Sequence, residues 1–163
     1  LPDVDTLQIP VNWGKSINRV LVAQKGLGKP WMVKHSGLTR LWPVWNYAYP
    51  DAKWLIVRRR TGDVIQSCIK TGYMRSFKDP VIRSEFLFET EAEAWLWWVH
   101  EYEKRFVQMI EAGLNCRIIW PERMVTGDYQ QIYETIEWLG LKWNNTIPSI
   151  IDPLLNKSRE VMV

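Results

Sequence analysis

The sequence predicts an α/β fold with three layers, in which helices flank a parallel sheet. Three short apolar runs, at residues 31–33, Trp54–Val57 and residues 116–120, have the length and composition of buried strands. Segments with a helical spacing of apolar residues lie between them. Because strands that alternate with helices form parallel sheets with crossover connections, we expect the 163 residues to form one domain of this class.

The first half of the chain alternates between helix and strand. Residues 13–25 and 37–49 carry apolar side chains at a helical spacing, and Pro43 lies near the start of the second segment, where proline is tolerated. The strand over residues 31–33 is expected to pair in parallel with Trp54–Val57, because two strands joined by a helix form a βαβ unit.

The second half is dominated by helical patterns. The predicted elements are, in chain order, a helix over residues 62–70 with Asp63 as its N-cap, a loop over residues 71–81 interpreted as a mobile flap, a helix over residues 90–112, a strand over residues 116–120, a helix over residues 128–139 and a short helix over residues 147–155. Glycines end several of these helices.

The composition favours a ligand that is a small anion. The net charge of +3 is mild and evenly spread, which argues against a nucleic-acid partner. The two cysteines, Cys68 and Cys116, do not form a disulfide framework or a metal site, and an intracellular, cytoplasmic location is favoured. We expect no membrane association, because no apolar stretch of about 18 residues occurs.

A cluster of arginines follows the predicted strand Trp54–Val57. Residues 58–60 are all arginine, and a helix start with Asp63 and then Ser67 comes next. Since ligands bind at the carboxyl ends of the strands in open α/β sheets, the guanidinium groups, the hydroxyl and the helix amides could together hold a phosphate monoester. The alternative is a solvated sheet edge or an ion-pair site.

This segment resembles the 3'-phosphate-binding motif of sulfotransferases. In that pattern an apolar strand is followed by an arginine, by Asp-Val, and by a serine eight residues after the arginine; Arg59, Asp63-Val64 and Ser67 match it. The resemblance implies that Arg59 and Ser67 bind the 3'-phosphate of the donor, 3'-phosphoadenosine-5'-phosphosulfate.

Two further segments extend the resemblance to about residues 30–155. Lys34-His35-Ser36 is similar to the Lys-Thr-His triplet of cytosolic sulfotransferases, with the histidine displaced by one position. The resemblance implies that Lys34 contacts the 5'-phosphosulfate and that His35 is a candidate for the base that takes the acceptor's proton, with Ser36 as the residue at the family's histidine position. Residues 118–141 resemble the late strand and helix of the family.

One departure concerns the segment that binds the 5'-phosphosulfate. The family begins with a strand and a Pro-Lys-Ser-Gly-Thr loop, and neither residues 13–16 nor residues 26–30 have the required spacing. We therefore expect a P-loop NTPase-like fold over residues 1–163 that lacks its first βα unit, and low activity of this chain alone.

The resemblance predicts an enzyme that transfers a sulfuryl group to a hydroxyl or amine of a small-molecule or glycan acceptor, without a metal. Two alternatives remain open: a non-catalytic α/β domain that retains an anion or nucleotide site, and a P-loop kinase relative.

Overall fold

The computed structural model describes residues 7–23 and 30–151. Within these residues the elements are, in chain order, α1 (Trp13–Ala23), α2 (Gly37–Arg40), α3 (Trp42–Ala48), β1 (Trp54–Val57), α4 (Thr61–Thr71), α5 (Arg75–Lys78), α6 (Pro80–Glu85), α7 (Glu91–Glu111), β2 (Cys116–Ile119), α8 (Pro121–Val125), α9 (Gln130–Trp138) and α10 (Ile147–Ile150). None of the helices described here combines the length and the apolar character needed to cross a bilayer.

Strands β1 and β2 form the sheet of the described residues, and they pair in parallel. Trp54 lies opposite Cys116 and Val57 lies opposite Ile119. One more bond, from the backbone N–H of Arg58 to the carbonyl of Ile119 at 2.9 Å, continues the ladder beyond β1. The fold is therefore mostly helical with a small parallel sheet and is broadly α/β, as predicted.

The predicted strand over residues 31–33 is wrong, because these residues have no regular structure. Met32 is 82% exposed, and Trp31 and Val33 are also exposed, whereas a strand of a parallel sheet is buried on both faces. The ring of Trp31 instead contacts the ring of Tyr49 edge-on, with the centroids 5.0 Å apart. The βαβ unit that was expected to join this segment to β1 is wrong for the same reason.

The chain divides into two compact units. One consists of Leu1–Ala52 and Lys104–Asn115, and the other consists of Lys53–Glu103 and Cys116–Val163. The first contains α1, α2 and α3, and the second contains both strands and α4, α5, α6, α8, α9 and α10. Helix α7 contributes residues to each.

In the first unit, aromatic and aliphatic side chains of α1 and α3 pack together. The rings of Trp13 and Trp45 meet edge-to-face with centroids 5.5 Å apart, and Ile17 and Val44 are buried. The single helix predicted over residues 37–49 is divided into α2 and α3, because a proline inside a helix removes one amide donor and its ring clashes with the preceding turn.

In the second unit, the core is aromatic. Phe77, Ala94 and Trp95 are buried, and the rings of Phe77 and Trp95 meet edge-to-face at 5.0 Å. Partly buried side chains surround this cluster: Ile65, Cys68, Met74, Phe88 and Trp98. Cys68 lies on α4, so the helix that follows the arginines is anchored in the core.

The loop predicted over residues 71–81 is instead largely helical, with α5 and the start of α6 in it. Phe77 lies in the core, and the Asp79 carboxylate caps α6 by accepting a bond from the N–H of Val81 at 2.9 Å. The guanidinium of Arg83 donates to the carbonyls of Phe77 at 3.0 Å and Glu89 at 3.3 Å. These contacts fix the segment against the core, so the interpretation of this segment as a flap is wrong.

Most of the remaining predicted elements are present with shifted ends. The helix predicted over residues 90–112 is α7, and the one predicted over residues 128–139 is α9. Residues 24–25 of the first predicted helix and residues 152–155 of the last lie outside the described residues. Strand β2 ends one residue before the predicted end, because the N–H of Trp120 donates to the side chain of Gln131 at 2.7 Å.

Candidate anion-binding site

The site that the sequence predicts lies between the end of β1 and the start of α4. Residues 58–60, here called the arginine loop, connect these two elements. Because β1 and β2 are parallel, their carboxyl ends lie at the same edge of the sheet, and the residues that follow β2 meet the arginine loop there.

Arg58 is held by neighbouring side chains. Its guanidinium forms an ion pair with the carboxylate of Glu103 on α7 and lies over the ring of Trp120, 5.1 Å from the ring centroid. Its backbone N–H is in the ladder with β2. These contacts occupy the guanidinium and the backbone N–H of Arg58. Arg58 is therefore a poor candidate for a ligand contact.

Arg59 lies beside Glu122 and near Cys68. Its Nε atom is 4.0 Å from Oε1 of Glu122, and its side chain is 36% exposed. Burial raises the pKa of the Cys68 thiol, and the positive charge of Arg59 opposes that rise. Arg59 is thus a partly exposed cation between the end of β2 and helix α4.

Arg60, and not Asp63, is the N-cap of α4. Arg60 has an extended backbone, with φ −57° and ψ 133°, and its carbonyl accepts the N–H of Val64 at 3.1 Å. Asp63 lies in the first turn, where its negative charge interacts favourably with the positive end of the helix dipole. The prediction was wrong because Thr61 and Gly62 already have helical backbones.

Ser67 lies in the second turn of α4, and its side chain is exposed. Its backbone carbonyl accepts the hydroxyl of Thr71 at 3.0 Å. Asp63 is four residues earlier, so the two side chains share one face of the helix. Arg59 and Ser67, the pair predicted to bind a 3'-phosphate, therefore flank the first turn of α4 within one unit.

Lys34 and His35 belong to the other unit and precede α2 in a segment without regular structure. Both side chains are exposed. The Nδ1 atom of His35 accepts the N–H of Gly37 at 3.0 Å, and its carbonyl accepts the N–H of Leu38 at 3.1 Å. The strand end on which both residues were predicted is absent, and His35 has a local role at the start of α2.

Two residues at this edge were not predicted as part of the site. Trp120 faces Arg58, and Oε1 of Glu122 is 3.4 Å from the backbone N–H of Arg60. The sequence does contain a signal for them, because Trp120 is the last residue of the strand predicted over residues 116–120 and Glu122 lies two residues after it. Since parallel strands end at the same edge, that position alone places them near the arginine loop.

Among the described residues, no three His, Cys, Asp or Glu side chains come together in a way that could hold a metal ion. The chain matches no protein-family model, no curated protein sequence and no solved structure.

Proposed function

We propose that this chain is sulfotransferase-like and transfers a sulfuryl group from 3'-phosphoadenosine-5'-phosphosulfate to a hydroxyl or amine of a small-molecule or glycan acceptor. One observation carries the proposal. Arg59 lies between the end of a parallel strand and the start of an eleven-residue helix, with Ser67 eight residues further along the chain.

The chemistry of a phosphate monoester supports this reading of the arginine loop. A phosphate of charge near −2 binds most strongly to guanidinium groups, hydroxyls and the N–H groups of a helix start. Arg58 is engaged by Glu103 and Trp120. Arg59, whose Nε atom lies 4.0 Å from Oε1 of Glu122, and Arg60 add further positive charge at this position. Ser67 adds a hydroxyl on the same helix.

The transfer step itself needs groups beyond the phosphate site. The acceptor oxygen or nitrogen forms a bond to sulfur while the bond from sulfur to the bridging oxygen breaks, which releases adenosine 3',5'-bisphosphate and passes the acceptor's proton to a base. We assign Lys34 to the leaving phosphate and His35 to the proton. Since Nδ1 of His35 accepts the N–H of Gly37, the neutral ring carries its proton on Nε2, and it becomes a base only when that contact opens.

The test is the affinity for adenosine 3',5'-bisphosphate, measured by calorimetry. Arg59→Ala should weaken binding about 10-fold or more, because each lost charge-assisted hydrogen bond is worth about 1.5–3 kcal/mol. Ser67→Ala should weaken it less, since a neutral hydroxyl bond contributes about 1 kcal/mol. Arg123→Ala is the matched control, because Arg123 is an arginine of the same unit that pairs with Asp128 at 2.6 Å. Equal affinity in the wild-type protein and Arg59→Ala would refute the phosphate site.

A non-catalytic domain with an anion site is the second candidate. The observation that favours it is that Nδ1 of His35, the atom that would take the proton, already accepts the N–H of Gly37 at 3.0 Å. Release of adenosine 3',5'-bisphosphate from the sulfated donor, measured with phenol, amine and glycan acceptors, separates the two. Binding of the bisphosphate without any acceptor-dependent release would favour the second candidate.

A further inference from the structure

The residues that follow the two strands contact one another at the carboxyl edge of the sheet. Val57 lies opposite Ile119 in the last pair of the ladder, and the N–H of Arg58 donates to the carbonyl of Ile119 at 2.9 Å. Beyond this pair, Arg58 lies over the Trp120 ring and the N–H of Arg60 points to Oε1 of Glu122. Trp120 and Glu122, which follow β2, therefore both contact the arginine loop.

Of the two residues that contact the arginine loop from the end of β2, Glu122 is the charged one. It lies in the first turn of α8, directly after Pro121, and its side chain is only 19% exposed. One carboxylate oxygen, Oε1, is 3.4 Å from the Arg60 N–H and 4.0 Å from Nε of Arg59. The other oxygen, Oε2, is buried and has no hydrogen-bond partner within the part of the chain that the structure describes.

A carboxylate buried to this degree requires positive charge beside it, because the loss of hydration is costly. Arg59 and the amide of Arg60 provide that charge and that donor. In return, the carboxylate restricts where the Arg59 guanidinium and the Arg60 backbone can go. A preorganised guanidinium binds an anion more tightly, since less conformational entropy is lost on binding.

We propose that Glu122 is a positioning residue for the phosphate site: it holds the Nε side of Arg59 and the N–H of Arg60 in the orientation that receives a 3'-phosphate. This inference rests on the proposed function and deepens it. Glu122 carries the same sign of charge as a phosphate, so it acts on the ligand through Arg59 and not by contact.

The test compares two ligands in Glu122 variants. Adenosine 3',5'-bisphosphate carries the 3'-phosphate, and adenosine 5'-monophosphate lacks it. In Glu122→Ala the affinity for the bisphosphate should fall about 10-fold, the range expected when one charge-assisted bond is impaired, while the affinity for the monophosphate stays unchanged. Glu122→Gln keeps an oxygen for the Arg60 N–H and should lose less than Glu122→Ala.

Two further variants make the test specific. In an Arg59→Ala background, Glu122→Gln should have no further effect on bisphosphate affinity, because coupled residues are not additive. Glu134→Gln is the matched control: Glu134 also pairs with an arginine of the same unit, Arg117, at 3.2 Å, and its loss should change neither affinity. Urea denaturation of each variant reports whether it is folded.

A direct readout of Arg59 separates this inference from the proposed function. The Nε–Hε signal of Arg59 in NMR spectra of the unliganded protein should shift, and its exchange with water should quicken, in folded Glu122→Gln but not in Glu134→Gln. An unchanged Arg59 signal, an equal loss of affinity for both ligands, or an additive double variant would overturn the positioning role. A wild-type protein that shows the coupled Arg59 signal but binds no bisphosphate would instead overturn the proposed function.

Discussion

At the scale of single residues, the pKa of the Cys68 thiol responds to the positive charge of Arg59. Cys68 follows Ser67 on α4 and is half-buried in the aromatic core of its unit. Burial raises the pKa of Cys68 above its ordinary value of 9.0, and the positive charge of Arg59 lowers it in part. Burial alone raises the pKa of Cys116, which lies on β2. The two cysteines thus differ in their exposure to the charge of Arg59.

This difference predicts how the thiols respond to loss of the arginine. In Arg59→Ala the pKa of Cys68 should rise further, so its alkylation by iodoacetamide between pH 8 and pH 9.5, a range about the ordinary thiol pKa, should slow. Cys116 in the same molecule should react at the wild-type rate and serves as the internal control. Mass spectrometry of the two peptides gives both rates, and an unchanged ratio would mean that Arg59 does not reach Cys68.

At the scale of elements, α2 shows how a residue assigned to chemistry by its sequence context can have a structural role. The ring of His35 lies so close to the backbone of Gly37 that an added Cβ would be 2.9 Å from Nδ1. Glycine at this position therefore permits the bond from its N–H to the ring. Ser36, the N-cap residue, makes no side-chain bond to the helix, so the acceptor comes from His35 instead.

We expect the Gly37 amide to report this cap. In His35→Ala its hydrogen exchange should quicken by about 5-fold, the equivalent of a lost cap of about 1 kcal/mol. His35→Asn offers a side-chain oxygen near the position of Nδ1 and should keep most of the protection. Ser36→Ala, one residue away, should have no effect. Equal exchange in all three variants and the wild-type protein would show that the ring does not cap α2.

At the scale of the whole molecule, Asp128, Cys68 and Cys116 contribute to how stability depends on pH. Hydrogen bonds from the Arg123 side chain and the Gln130 backbone lower the pKa of Asp128, so its contribution to stability is present above the ordinary pKa of 3.8 and is lost as the pH falls. The raised pKa values of Cys68 and Cys116 act in the opposite sense. Their contribution is present below the ordinary pKa of 9.0 and is lost as the pH rises through the raised values.

The free energy of unfolding should therefore be greatest between these limits. Asp128→Asn should flatten the decline on the acid side only, and the effect should weaken in high salt, because this carboxylate is exposed. Cys68→Ser combined with Cys116→Ser should flatten the decline on the alkaline side only. Urea denaturation from pH 3 to pH 10.5, about the range of these titrations, measures both. A variant that changes the opposite limb would contradict the assignment.

Several parts of this molecule follow from the sequence alone. The strands β1 and β2, the long helix α7 and the position of the arginine loop directly after β1 were all predicted. The reason is that these segments carry strong local patterns. An apolar run between turn residues is typical of a strand, and a helical spacing of apolar side chains over 21 residues is typical of a helix. Arg59 owes its place to β1, which ends two residues before it, and Ser67 lies on α4, which begins two residues after Arg59.

Other features depended on contacts between residues that are distant in the chain. Whether residues 31–33 form a strand is decided by burial and by a partner strand, and three apolar residues carry too little local signal to reveal either. Likewise, three adjacent arginines look equivalent in the sequence. Only tertiary structure distinguishes them, because Glu103, 45 residues from Arg58, pairs with that arginine, and Glu122, 62 residues from Arg60, reaches the other two.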